Sequence, residues 1–137
     1  MTKAAIHLAF FALATGALGC TFIARGPDDY RKDTRAVLEQ RQADVKTCYD
    51  AALKADPGAK GIVAVKFKVE KETGKIVNAA IAADQTSAPA ALGECVVKSL
   101  NGLVLDPPDK RDGEGTFVWD FQPGTAPAPV EAAPAAG

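Results

Sequence analysis

The sequence predicts an α+β fold: a two-layer α-β-β-α-β domain in which a three-stranded antiparallel sheet carries two helices packed on one face. Three observations lead there. Apolar residues recur at helical spacing between positions 37 and 53; apolar and polar residues alternate over 61–70 and again over 116–122; Gly and Pro punctuate the gaps between these runs.

The first helix is predicted within DDYRKDTRAVLEQRQADVKTCYDAALKADPG, where Val37, Leu38, Val45, Cys48, Tyr49, Ala52 and Leu53 make one apolar stripe and Pro57 and Gly58 end it. In GIVAVKFKVE, Val63, Val65, Phe67 and Val69 alternate with Lys66, Lys68 and Glu70, the pattern of a half-buried strand. Gly74 in KETGK supplies a positive-φ turn position, and IVNAAIAA follows with Val77, Ala79 and Ile81 on one side, so these two runs form an antiparallel hairpin. The second helix is expected over SAPAALGECVVKSLNG, with Ser87 as N-cap and Gly102 as stop, and with Leu92, Cys95, Val96 and Ser99 sharing a face. LVLDPPDKRDGEG holds too many Pro, Gly and charges to stay regular. The last strand is TFVWDFQP, in which Phe117, Trp119 and Phe121 alternate with Val118 and Asp120.

Four segments organise the 137 residues. Residues 1–19 have the positive start, apolar middle and small-residue end of a signal peptide. ALGC, residues 17–20, resembles the lipobox of bacterial lipoproteins, which predicts acylation of Cys20; ordinary cleavage before Cys20 and an uncleaved anchor are the alternatives. A short linker at 20–27 and the domain at 28–123 follow. The tail at 124–137 is Pro/Ala-rich and predicted to be disordered.

Loss of residues 1–19 would remove the only His, His7, leaving no Ser-His-Asp or Cys-His arrangement and no His-ligated metal within one chain. With Lys3 gone, 15 of the 16 Lys and Arg face all 17 Asp and Glu, a charge of about −2, and no basic patch interleaved with aromatics points to nucleic acid. If Cys20 carries lipid, Cys48 and Cys95 remain as a pair. In an oxidising compartment a disulfide between them is expected, worth about 4 kcal/mol in the chain-entropy model; two buried free thiols are the alternative.

The stretch CYDAALKADPGAKGIVAVKFKVEKETGKIVNAAIAAD, together with CVVKSLNGLVLDPP and FVWDFQP, resembles the TonB C-terminal-like domain. The variant it resembles stands at the ends of myxobacterial AgmX/PglI-type motility proteins, and the likeness spans residues 30–123. Cys48, Tyr49, Leu53, Pro57, Gly61, Cys95, Phe117 and Phe121 carry it; Leu103, Leu105 and Asp106-Pro107 stand where that family tends to have Trp and then Phe-Pro. The resemblance implies a periplasm-facing protein-interaction module without catalytic residues, cofactor, metal or small-molecule substrate. Strand addition at the last strand would place a partner along Thr116, Phe117, Val118, Trp119, Asp120, Phe121 and Gln122; an edge merely protected by Asp120 and Pro123 is the plainer reading. Energy transduction is not implied, because the stretch TFIARGPDDYRKD after Cys20 reaches only about 45 Å at full extension. Thr21 after the lipidated Cys points to the outer membrane, with an envelope protein as partner.

Two further functions compete. One is a purely structural envelope lipoprotein. The other is an envelope hydrolase using carboxylates among Asp106, Asp109, Asp112 and Glu114, which read more simply as a solvated loop lacking calcium-loop spacing. Lys66, Lys68, Lys71 and Lys75 make a basic stripe that either meets anionic lipid or peptidoglycan or is a solvated strand face.

Overall fold

The computed structural model describes residues 23–130. In chain order it contains α1 (Pro27–Glu39), α2 (Gln42–Ala55), β1 (Gly61–Val69), β2 (Ile76–Ile81), a 3-10 turn (Ala83–Gln85), α3 (Ala90–Ser99), β3 (Gly113–Phe121) and β4 (Ala128–Val130). The class is α+β, with one antiparallel sheet in the order β2-β1-β3-β4. The signal segment and Cys20 lie outside the described residues.

Two departures from the sequence reading enlarge the fold. Among the described residues three helices stand where two were expected, because the long helical run breaks at Gln40 and Arg41. Their N–H groups bond back to Val37 and Leu38 carbonyls three residues away, the tight closure of a helix end. No residue from 39 to 44 is buried, so no core packing keeps the two halves of the run in line. Thr34, Val37 and Leu38 then face the core from α1 and Val45, Cys48 and Tyr49 from α2. The described residues also form four strands where three were expected, because part of the predicted disordered tail, Ala128–Val130, pairs with Val118–Asp120.

The predicted core face of the sheet holds. Val63, Val65, Phe67, Val69, Phe117, Trp119 and Phe121 form one buried cluster with residues of all three helices. Tyr49 of α2 meets Phe121 at a ring separation of 5.0 Å and donates its hydroxyl to the Ala59 carbonyl at 2.9 Å. β1 pairs with β3 in an unbroken register from Gly61↔Phe121 to Val69↔Gly113. The β1–β2 ladder shifts between Lys66 and Lys68, where Asn78 sits at φ 54°. This bulge puts Ile76, rather than the expected Val77, into the core and restores Ala79 and Ile81 to the inner side.

Local chemistry shifts two boundaries. Gly74 takes φ 67° in the hairpin loop as predicted. Ser87 does not cap α3: Pro89 holds that position, and the Ser87 hydroxyl accepts the Ile62 N–H at 3.0 Å while Thr86 Oγ1 accepts that of Ala64 at 3.0 Å. The segment after β2 thus satisfies the part of the β1 edge that β2 is too short to reach. Cys48 of α2 and Cys95 of α3 are joined in a disulfide, with Cα atoms 5.7 Å apart.

The predicted linker at 20–27 is largely part of the domain. Ile23 forms a parallel bridge with Asp109, its carbonyl accepting the Lys110 N–H at 3.1 Å, and α1 begins at Pro27. Leu103 and Leu105, where the resemblance departs, are buried in the core.

Candidate protein-interaction edge

β3 positions the site because its two edges are used differently. In an antiparallel ladder successive residues turn their N–H and C=O to opposite sides. Pro129 opposes Trp119 in β4; it has no N–H, and its carbonyl accepts a bond from Arg35 Nη2 at 3.3 Å. Pro129 therefore faces away from β3, and Ala128 and Val130 carry the ladder to Asp120 and Val118. By the same alternation Glu114 and Thr116 present their backbone groups to the outer edge, while Gly113, Gly115 and Phe117 serve β1.

β4 covers only the middle of the predicted partner strand. The chain reverses after Gln122 through Gly124, at φ 83°, with the Thr125 N–H and hydroxyl both bonded to the Gln122 carbonyl. It returns along Val118–Asp120 and is held from the helices by Arg35 and by Gln42 Nε2, which bonds the Pro127 carbonyl. Among the described residues no strand pairs with the outer edge of 113–117. β4 thus occupies the centre of the predicted Thr116–Gln122 site, and the open edge begins at Gly113, in the segment expected to be irregular, and runs into Thr116 and Phe117 at the start of that site.

A groove of about 350 Å³ runs beside that open edge, between α1 and β3. Tyr30, Thr34 and Leu38, one turn apart along α1, form one wall; Phe67 and Phe117 form the apolar floor; Val130 stands at one end. Two glycines permit this approach. A Cβ on Gly113 would overlap the Tyr30 hydroxyl, and one on Gly115 would stand 3.0 Å from the Phe67 ring.

The other end is closed by charge. Arg25 and Asp109 are 5 % and 2 % exposed. The Asp109 carboxylate accepts the Arg25 N–H at 2.8 Å and the Arg111 N–H at 3.0 Å, and it lies 3.9 Å from Arg25 Nη1. Arg25 Nε also donates to Asp33 at 2.7 Å. Burial opposes ionisation of Asp109, but those two N–H bonds and the Arg111 and Arg25 guanidinium charges together hold its carboxyl below the usual carboxylate range. Burial, reinforced by Asp109, pushes the Tyr30 phenol up to about 12. Tyr30 therefore stays neutral. Its hydroxyl, Arg25 Nη1 and Thr34 Oγ1 are buried without a hydrogen-bond partner among the described residues.

The other residues singled out from the sequence have mostly local work. Asp109 belongs to this buried cluster. Asp112 accepts the Lys71 N–H at 2.9 Å and pairs with Lys68 at 3.1 Å, and these contacts, the backbone bond first, lower its pKa. Lys66 reaches Asp84 at 3.5 Å, so part of the lysine stripe is paired within the domain. Among the described residues no group of three or more His, Cys, Asp or Glu is arranged to hold a metal ion. Sequence reasoning missed Tyr30, Thr34, Arg25 and the Gly113–Gly115 pair; the closely spaced glycines at the head of an aromatic strand were the available signal.

No family model, curated protein or solved structure matches the chain. Fold and site together define a disulfide-bonded α+β domain with one strand edge partly open beside a helix-walled groove.

Proposed function

We propose that the chain is a lipid-anchored adaptor or assembly module of the bacterial cell envelope, of TonB C-terminal-like type, that receives an extended partner segment at its β3 edge. The observation that carries this reading is the outer edge of 113–117, which no strand of the described domain covers and which borders the α1 groove. An added strand would continue the sheet where β4 stops, taking its main-chain bonds from Glu114 and Thr116 and its apolar contacts from Phe67, Phe117 and Leu38.

Tethering fits this placement. From Cys20 to the docked Ile23 is at most about 11 Å of chain. A lipid on Cys20 would hold the Arg25 end of the groove against the bilayer, facing the periplasm from the outer membrane. The partner would then be an envelope protein that offers an extended segment close to the membrane surface.

Thr116→Pro tests the reading, because it removes an outward N–H and leaves the β1 ladder intact. Captured envelope proteins should fall at least tenfold against the wild-type domain, with the thermal transition nearly unchanged; equal capture would end the strand-addition reading. A structural lipoprotein without a partner strand is the second reading, and β4, which already covers Val118–Asp120, favours it.

A further inference from the structure

The chain already holds an extended, proline-containing segment on its own β3 edge. β4 continues a Pro-Ala-Pro-Val run in which Pro127 is buried and Pro129 half-buried, while Ala128 and Val130 are exposed. The residues turned inward are thus the two prolines. Directly opposed residues of an antiparallel pair share a face, so Pro129 lies beside the buried Trp119. Pro127, buried just before β4, would fall opposite Phe121 if that register continued one residue further.

Three features make proline suitable at these two positions. The outward side of the strand offers no ladder partner, so the missing N–H costs nothing there. The freed carbonyls of Pro127 and Pro129 are each taken by a helix side chain, Gln42 from α2 and Arg35 from α1. The ring brings a compact apolar face, already restricted in φ, to an aromatic surface, which lowers the ordering cost of docking.

We infer that the β3 edge, with Trp119, Phe121, Arg35 and Gln42, is a receptor for extended segments carrying proline at alternate positions, and that β4 occupies it in cis. The inference rests on the strand-addition reading and concerns the neighbouring stretch of the same edge, Val118–Asp120, that β4 covers. A tethered occupant acts at an effective concentration in the millimolar range, so an external segment must displace β4 before it binds.

The test uses the full chain and a blocked peptide of residues 125–130, Thr-Ala-Pro-Ala-Pro-Val, beside the same peptide with both prolines replaced by alanine. Ala128→Pro and, separately, Val130→Pro each remove one ladder N–H from β4. Release is read as faster amide exchange at Val118 and Asp120, with exchange at Val63 and Val65 unchanged to show an intact core. The proline peptide should bind the released variants at least tenfold more tightly than it binds the wild-type chain, and at least tenfold more tightly than the alanine peptide binds them. Equal binding of the two peptides would overturn proline selection while leaving strand addition standing. Binding of neither would overturn the inference outright, and the Thr116→Pro capture result then judges the open edge separately. Unchanged exchange at Val118 and Asp120 in both variants would remove the register on which the inference is built.

Discussion

The carboxylate of Asp109 receives the backbone N–H of Arg25, 84 residues earlier in the chain, at 2.8 Å, and faces the same residue's guanidinium at 3.9 Å. This contact sews the entry of the domain to the loop before β3 and closes one end of the groove.

Breaking it should be costly. Asp109→Ala leaves the Arg25 guanidinium buried against Asp33 alone, and loss of one partner of a buried pair costs about 3–5 kcal/mol. Urea unfolding should show that loss as a lower midpoint at unchanged slope. The same carboxyl is held below its unfolded value, so its contribution is complete above about pH 4 and disappears as pH falls through the folded pKa. Asp109→Asn should flatten that acid limb.

The alkaline limb has the opposite sign. Tyr30 ionises at about 12 in the folded chain and near 10 when unfolded. Its neutral form therefore supports folding below pH 10, and that support drains away between pH 10 and 12. Absorbance at the phenolate band should show Tyr30 titrating late, and Tyr30→Phe should weaken the alkaline loss of stability.

Gly113 and Tyr30 should be coupled. Gly113→Ala pushes a methyl into the Tyr30 ring and should cost about 1–3 kcal/mol, the usual range for overpacking. Tyr30→Phe removes the nearest atom and should recover part of that loss. A double-mutant cycle in urea would show an interaction energy well outside the error of independent sites; simple additivity would contradict the close approach.

The Cys48–Cys95 bridge spans 47 residues of sequence, and reduction should lower stability by about 4 kcal/mol. Intact mass with and without reducing agent should show two hydrogens gained, and the same spectrum tests acylation of Cys20. A Cys48→Ala, Cys95→Ala pair should reproduce the reduced stability.

Much of the architecture was legible because burial imposes a period. Val63, Val65, Phe67, Phe117, Trp119 and Phe121 alternate in sequence and line one core in space. What escaped was set by contacts distant in sequence. Neither Gly nor Pro marks the break at Gln40 and Arg41; the two halves of that run serve different parts of the core. Ser87 has the chemistry of a helix cap, but the β1 edge needs its oxygen at Ile62. The strand within the proline-rich tail carries no familiar strand pattern, since the residue it turns inward is Pro129, with the buried Pro127 just before it.

By itself the sequence determined the α+β class, the core faces of β1 and β3, and the apolar stripe that carries Cys48. These follow from hydrophobic periodicity and turn chemistry, both local. The tertiary structure alone decided that β4 would cover the centre of β3, that α1 would wall a groove over Gly113–Phe117, and that Arg25 would meet Asp109. Each of those depends on which backbone edges and buried charges remain unsatisfied once the core has closed.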